Sequence, residues 1–139
     1  MIVTCSNKIR IGADYENVIK TLDHKLVLNA LSAKVLSRWK ERYLIEVTIP
    51  GESKSRTIRL IAMSKKLGNG ISISCVDEVT GVLGIEISVI AQKLNNEVNI
   101  EVEGLFNTLV MKESPRLVKV FSELIIGKII ENVKNIVRS

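Results

Sequence analysis

The sequence predicts an α+β fold that combines an antiparallel sheet of about seven strands with a long C-terminal helix. Between residues 34 and 106, apolar and polar residues alternate in runs joined by short turns. This pattern is typical of a hairpin-linked sheet with one solvent-exposed face. From Ser114 to Ser139 the apolar residues recur every three or four positions, as on one face of an amphipathic helix. A sheet with a segregated helix layer is an α+β architecture.

The chain before this sheet pattern predicts one strand and two short helices. Met1–Ile11 carries the apolar residues of a first strand, and Gly12 ends it. Apolar residues then follow helical spacing in Ala13–Thr21 and again in His24–Ser32. Neither helix is long enough to be stable without tertiary packing, so we expect both to pack on the sheet or on the C-terminal helix.

Six strands follow, separated by turn signals such as Pro50-Gly51 and Asn95-Asn96. The predicted strands are Lys34–Lys40, Tyr43–Ile49, Thr57–Lys65, Ile71–Cys75, Leu83–Ala91 and Val98–Phe106. The element order is therefore strand, two helices, six strands and one helix. Residues 1–139 carry no linker or repeat and are expected to form a single domain.

The composition is that of an ordinary globular protein, with 46% hydrophobic and 25% charged residues. The net charge of +5 is not concentrated in a basic arm, and aromatic residues make up 4% of the chain, so nucleic acid is not an expected partner. Cys5 and Cys75 belong to no metal-binding spacing, and no metal or cofactor is expected. Without a signal peptide or an apolar stretch of about 18 residues, we expect a cytoplasmic protein with no membrane span.

The element order and length resemble the START-like, helix-grip (SRPBCC) superfamily, which includes lipid-transfer domains, birch-pollen-allergen-like proteins and polyketide aromatase/cyclases. The chain is similar to a small archaeal branch of this superfamily, on the basis of its Ile- and Lys-rich character and the stretch Ser114-Pro115…Val118…Phe121. The resemblance implies one helix-grip domain, in which a curved seven-stranded sheet grips the C-terminal helix around an apolar cavity. It does not fix the function, because this fold serves carriers, enzymes and regulators alike.

The charged residues of the predicted sheet alternate out of phase with the apolar runs around them. They are Glu46, Arg59, Glu86, Glu101 and Glu103, and they are expected to point away from the cavity. An enzyme needs an acid or base within hydrogen-bond reach of its substrate. The sequence therefore favours non-enzymatic binding, transport or sensing of a small hydrophobic ligand. Two alternatives stay open: a cyclase- or hydrolase-type enzyme using Tyr43, Asp77 or His24, and an interaction protein with a filled cavity that acts through its C-terminal helix.

The candidate ligand-binding residues share the inward register of the strands or the sheet-facing side of the helix. They are Trp39, Tyr43, Ile73, Cys75, Asp77, Ile87, Ile100, Gly104, Phe121 and Ile125. Trp39 is included because it has the parity of Val35. For several of them a plain structural role is an open alternative: Tyr43 and Trp39 as core residues, and Asp77 as a solvated turn residue. No residue is assigned a catalytic role.

The C-terminal helix carries two apolar stripes that differ in direction by more than a quarter turn. The first, which includes Leu117, Val120, Phe121, Leu124 and Ile125, is expected to face the sheet. The second consists of Ile126, Ile130, Val133 and Val137. If the second stripe faces outward it predicts a homodimer interface. The alternative is a bend at Gly127 that buries this stripe against the two short helices.

Overall fold

A computed structural model describes residues 1–138 and confirms the predicted α+β fold. The elements are β1 (Ile2–Ile11), α1 (Tyr15–Thr21), α2 (His24–Ala30), β2 (Lys34–Trp39), β3 (Arg42–Ile49), β4 (Arg56–Leu67), β5 (Gly70–Asp77), β6 (Leu83–Leu94), β7 (Glu97–Asn107), α3 (Thr108–Met111) and α4 (Pro115–Arg138). The predicted end of the long helix, Ser139, lies outside the described residues.

The seven antiparallel strands form one sheet in the order β1-β7-β6-β5-β4-β3-β2. The hairpin turns set the neighbours within β2–β7, and β1 returns to pair with β7 over its whole length, from Ile2 opposite Asn107 to Ile11 opposite Val98. Since β1 and β2 are at the two edges, the helices α1 and α2 between them span the width of the sheet.

A one-turn helix, α3, joins the sheet to α4 and is absent from the predicted element order. Asn107 caps it, because its side-chain oxygen accepts a hydrogen bond from the Leu109 amide at 3.0 Å. Lys112 ends it in the left-handed conformation, at a φ of 56°. The Thr108 amide and hydroxyl both donate to the carbonyl of Met1. These contacts turn the chain from β7 into α4.

The core lies between the concave face of the sheet and the helices. The long helix α4 packs against β1 and β7. The short helices α1 and α2 pack against α4 at one end of the fold. Inward residues such as Ile45, Val89 and Ile100 are completely buried. No helix within residues 1–138 is both long enough and apolar enough to cross a membrane.

The two-stripe description of α4 is wrong. Its buried residues form one continuous stripe: Val118, Phe121, Ser122, Ile125, Ile126, Ile129, Ile130 and Val133. Leu124 and Val120, expected to face the sheet, are 52% and 61% exposed. The stripe is wide because the sheet covers one side of α4 while α1 and α2 cover another.

The expected outward seam of Ile126, Ile130, Val133 and Val137 is therefore also wrong. The first three are buried, and Val137 is partly buried and packs against the core. This agrees with the alternative in which the short N-terminal helices cover this part of α4. Without an exposed seam, the argument for a homodimer built on this helix no longer holds.

The predicted inward position of Trp39 is wrong as well. The pairing of β2 with β3 shifts between Val35 and Ser37, so that Val35 lies opposite Ile45 but Arg38 lies opposite Tyr43. Such a bulge inserts one residue and turns every later side chain to the other face. Trp39 is consequently 47% exposed, and Arg38 takes the inward register beside Tyr43.

Candidate functional site

The predicted ligand-binding residues other than Trp39 lie where the sequence placed them, on the inward register of the sheet or the buried face of α4. Phe121 contacts Phe106 of β7 edge to face, with ring centroids 6.1 Å apart. Next to this pair, Gly104 allows α4 to approach closely. A Cβ atom at Gly104 would lie 2.6 Å from the Phe106 ring and 3.1 Å from Cδ1 of Ile126, closer than such atoms pack.

This interior is filled with side chains. A side chain beside an internal void that could hold water would have solvent-accessible surface facing the void. Ile73, Ile87 and Ile100 have 2% or less of their surface accessible, so no such void lies beside them. Two empty grooves lie outside this interior. One of about 340 Å³ separates α2 from α4 and is floored by Leu26 and Ile136. Another of about 350 Å³ lies on the outer face of the sheet. A ligand between sheet and α4 therefore requires α4 or the short helices to move.

The most developed polar arrangement on the inward face joins Tyr43 at the start of β3 to His24 at the start of α2. The Tyr43 hydroxyl and His24 Nε2 are 2.9 Å apart, a hydrogen bond, and Tyr43 is 5% exposed. The guanidinium of Arg38 lies over the Tyr43 ring, 5.1 Å from its centroid. The sequence identified Tyr43 and His24 separately but gave no sign that they meet, because 19 residues separate them.

Local capping places His24 there. Asp23 caps α2, and its carboxylate accepts a hydrogen bond from the Lys25 amide at 2.7 Å. This directs the first helical residue, His24, toward β3. The Nζ atom of Lys66, near the end of β4, donates to the carbonyl of Leu22 at 2.9 Å. Two polar contacts thus hold the junction between α1 and α2 to the rim of the sheet.

Asp77, a second candidate polar group, is engaged in the turn after β5. Its carboxylate accepts hydrogen bonds from the Thr80 amide and hydroxyl, each at 2.9 Å, and from the Val79 amide. The bonds from Thr80 hold the pKa of Asp77 below its usual value. This geometry matches the alternative of a turn residue.

The five charged residues that the alternation predicted on the outer face of the sheet do point away from the interior. Glu46 pairs with Arg59 at 3.5 Å, and Glu86 accepts a hydrogen bond from Ser74 at 3.3 Å. The neighbouring carboxylate of Glu101 raises the pKa of Glu103. Within residues 1–138, no three His, Cys, Asp or Glu side chains lie close enough together to hold a metal ion.

Both cysteines are free thiols in different settings. Cys5 on β1 is half-buried, whereas Cys75 on β5 is buried among apolar neighbours, with β7 and β6 between the two strands. Burial raises the pKa of the Cys75 thiol from 9.0 to about 12. Between pH 9.0 and about 12 the Cys75 thiol ionises in the unfolded chain but stays protonated in the folded chain. In this pH range the thiol therefore lowers the free energy of unfolding.

We predict that iodoacetamide modifies Cys5 well before Cys75 in the folded protein. The thiolate is the reactive species, and the interior suppresses it at Cys75. Peptide mass spectrometry at successive times gives the two rates, and in denaturant they should become similar. Equal rates under native conditions would show that the core around Cys75 opens readily.

The comparisons with known proteins give structural matches without sequence matches. No family model matches the chain, and no curated protein matches it. A conserved protein from Geobacillus kaustophilus superposes with a TM-score of 0.67 at 11% identity, over 98% of this chain and 95% of its own. A Streptomyces aromatase/cyclase superposes with a TM-score of 0.58 at 9% identity, over 96% of this chain and 94% of its own. Human StAR-related lipid transfer protein 5 gives 0.55 at 11% identity, over 97% of this chain and 75% of its own.

The chain has the helix-grip fold. The matched structures superpose on nearly the whole of this chain, including its seven-stranded sheet and its long C-terminal helix. Their identities of 9% to 11% show the fold alone, since helix-grip proteins differ in function. A function has to be argued from the residues of this chain.

Proposed function

We propose that this helix-grip protein binds a small apolar ligand between its sheet and α4 and acts as a carrier or sensor rather than an enzyme. The observation that carries the proposal is the chemistry of the enclosed face. From β5 to β7 the inward side chains are aliphatic, aromatic or thiol, apart from two charged groups at strand ends. Asp77 is held in its turn, and Lys93 is exposed at the end of β6. Ligand sites are typically apolar surfaces with a few polar groups at fixed places.

The polar side chains that contact the α1–α2 junction lie at one end of this interior. The pair of Tyr43 and His24 lies where α2 meets the sheet, so a ligand can be oriented there while its body contacts aliphatic side chains. The interior is closed in the structure, and binding therefore includes a displacement of the helices. The polar contacts that such a displacement breaks include the Tyr43–His24 bond, the Lys66–Leu22 bond and one bond between Asn29 and Asn132 across α2 and α4.

We expect saturable binding of one molecule of the neutral dye N-phenylnaphthylamine, measured by its fluorescence. Ile87→Ala should tighten this binding several-fold, because it removes a side chain from the filled interior and leaves a dry apolar space. Ile90→Ala is the matched control on the same strand, since Ile90 has the outward register. Circular dichroism must show that both variants are folded.

Native mass spectrometry of protein purified from its own host gives an independent measurement, because a co-purifying ligand appears as added mass. Absence of a bound molecule, together with no dye binding by the wild type or by Ile87→Ala, would contradict the carrier proposal. That result would favour the alternative of an interaction protein with a filled interior. A cytoplasmic location and an archaeal source stay predictions.

A further inference from the structure

Eight inward-facing positions of the sheet carry polar or charged side chains. They are Asn7, Arg38, Tyr43, Arg56, Ser64, Lys66, Asp77 and Lys93. Three of them are engaged far from α2: Asn7 bonds the next backbone amide, Arg56 pairs with Glu113 at 3.4 Å, and Asp77 holds its turn. Lys93 is exposed at the end of β6, beside the start of α1. The other four lie at the end of the sheet that α2 covers.

These four residues occupy three neighbouring strands. Arg38 on β2 lies opposite Tyr43 on β3, Tyr43 lies opposite Ala62 on β4, and Ser64 and Lys66 follow on the same face of β4. The side chains of Tyr43 and Lys66 converge on the junction between α1 and α2, where they contact His24 and the carbonyl of Leu22. We call Arg38, Tyr43, Ser64 and Lys66 the polar rim.

The polar rim carries two positive charges that lack a carboxylate partner. Arg38 Nε donates to the Lys40 carbonyl at 3.4 Å, and Lys66 donates to the Leu22 carbonyl. Within residues 1–138, neither cation lies within 4.0 Å of a carboxylate oxygen. Asp23, which follows Leu22 in the chain, is engaged as the cap of α2. Glu41, three residues from Arg38, is exposed in the β2–β3 turn. The inward face at this end therefore favours an anion.

We propose that the ligand is an amphiphile with a single anionic head. The head binds at the polar rim, where Arg38 and Lys66 supply charge-assisted hydrogen bonds. The Tyr43 hydroxyl supplies a further donor in the tautomer in which His24 Nε2 donates to it. The apolar body extends between the sheet and α4. The proposal rests on the proposed function, because it assigns a head group to a ligand whose body lies in that interior.

Two dyes with the same aromatic skeleton test this assignment. Anilinonaphthalene sulfonate carries one anionic group, whereas N-phenylnaphthylamine is neutral. We expect the sulfonate to bind wild type about tenfold more tightly than the neutral dye, the gain typical of one charge-assisted hydrogen bond. Decanoate should displace the dye, and decanol should do so about tenfold less well for the same reason.

The variants Arg38→Gln and Lys66→Gln should each remove most of the preference for the sulfonate, measured as the ratio of the affinities for the two dyes. The matched controls are Arg42→Gln and Lys65→Gln. Both controls change the net charge by the same amount, but Arg42 lies opposite Trp39 and Lys65 lies opposite Ser72, on the outward register. The controls should keep the preference.

The outcomes separate the two proposals. Equal affinity for both dyes, or equal effects of the rim and control variants, overturns the anionic head while the apolar site stands. Failure of both dyes to bind overturns this inference. It overturns the proposed function as well when Ile87→Ala also binds no dye and no ligand co-purifies. Arg38 makes no hydrogen bond to the α1–α2 junction in the structure, so Arg38→Gln remains informative if Lys66→Gln does not fold.

Discussion

Replacing Phe121 by alanine is expected to lower the free energy of unfolding by about 3–5 kcal/mol, the usual cost of removing an aromatic side chain from a solid core. Phe121 is 4% exposed and contacts Phe106 edge to face, so the variant loses both buried area and an aromatic pair. Urea denaturation followed by circular dichroism measures the loss.

Leu124→Ala is the matched control for this prediction, because Leu124 is three residues further on the same helix and is 52% exposed. It should cost less than about 1 kcal/mol, as surface substitutions do. A similarly small cost for Phe121→Ala would mean that the interior is loosely packed. In that case the carrier proposal would need no displacement of α4.

Replacing Gly70 by alanine is expected to destabilise the protein by about 3 kcal/mol or more, because overpacking against fixed backbone cannot relax. Gly70 begins β5 opposite Ile90. A Cβ atom there would overlap the backbone carbonyl of Val89 on β6. The variant must therefore separate two central strands or shift their pairing. We expect a lower urea midpoint of denaturation, with no change in the slope of the free energy of unfolding against urea concentration.

Gly68 provides the control in the same turn. A Cβ atom at Gly68 would meet nothing within 4 Å, and its backbone is not left-handed. Gly68→Ala should therefore be neutral or stabilising by up to about 1 kcal/mol, through a lower entropy of the unfolded chain. If both variants lost stability equally, the turn rather than the β5–β6 contact would set the requirement for glycine.

Much of the sheet could be predicted because its information is local. Alternation along β3 and β6 defines which side chains point inward, and the turns between the strands define their neighbours. The inward residues Ile73, Ile87 and Ile100 and the outward Glu101 follow directly from this period of two. The same rule misplaced Trp39, because a bulge in β2 has no signature in the alternation of so short a strand.

The candidate site was predicted only in part, because its polar contacts join distant segments. Tyr43 could be chosen from the register of β3, but its hydrogen bond to His24 depends on where α2 settles. The place of Arg38 depends on the bulge, and that of Lys66 on the path of the α1–α2 junction. Each is set by packing across the molecule, which no local pattern records.

The sequence by itself determined the order of all elements except α3, the antiparallel pairing and the amphipathic character of α4, since these follow from periodicity and turn chemistry. Only the tertiary structure decided how much of α4 is buried. A helix pattern shows which positions are apolar but not how many neighbours surround them. Because α1 and α2 pack beside the sheet, Ile126 and Ile130 became core residues, while Val120 and Leu124 stayed exposed. The same packing closed the interior and brought His24 to Tyr43.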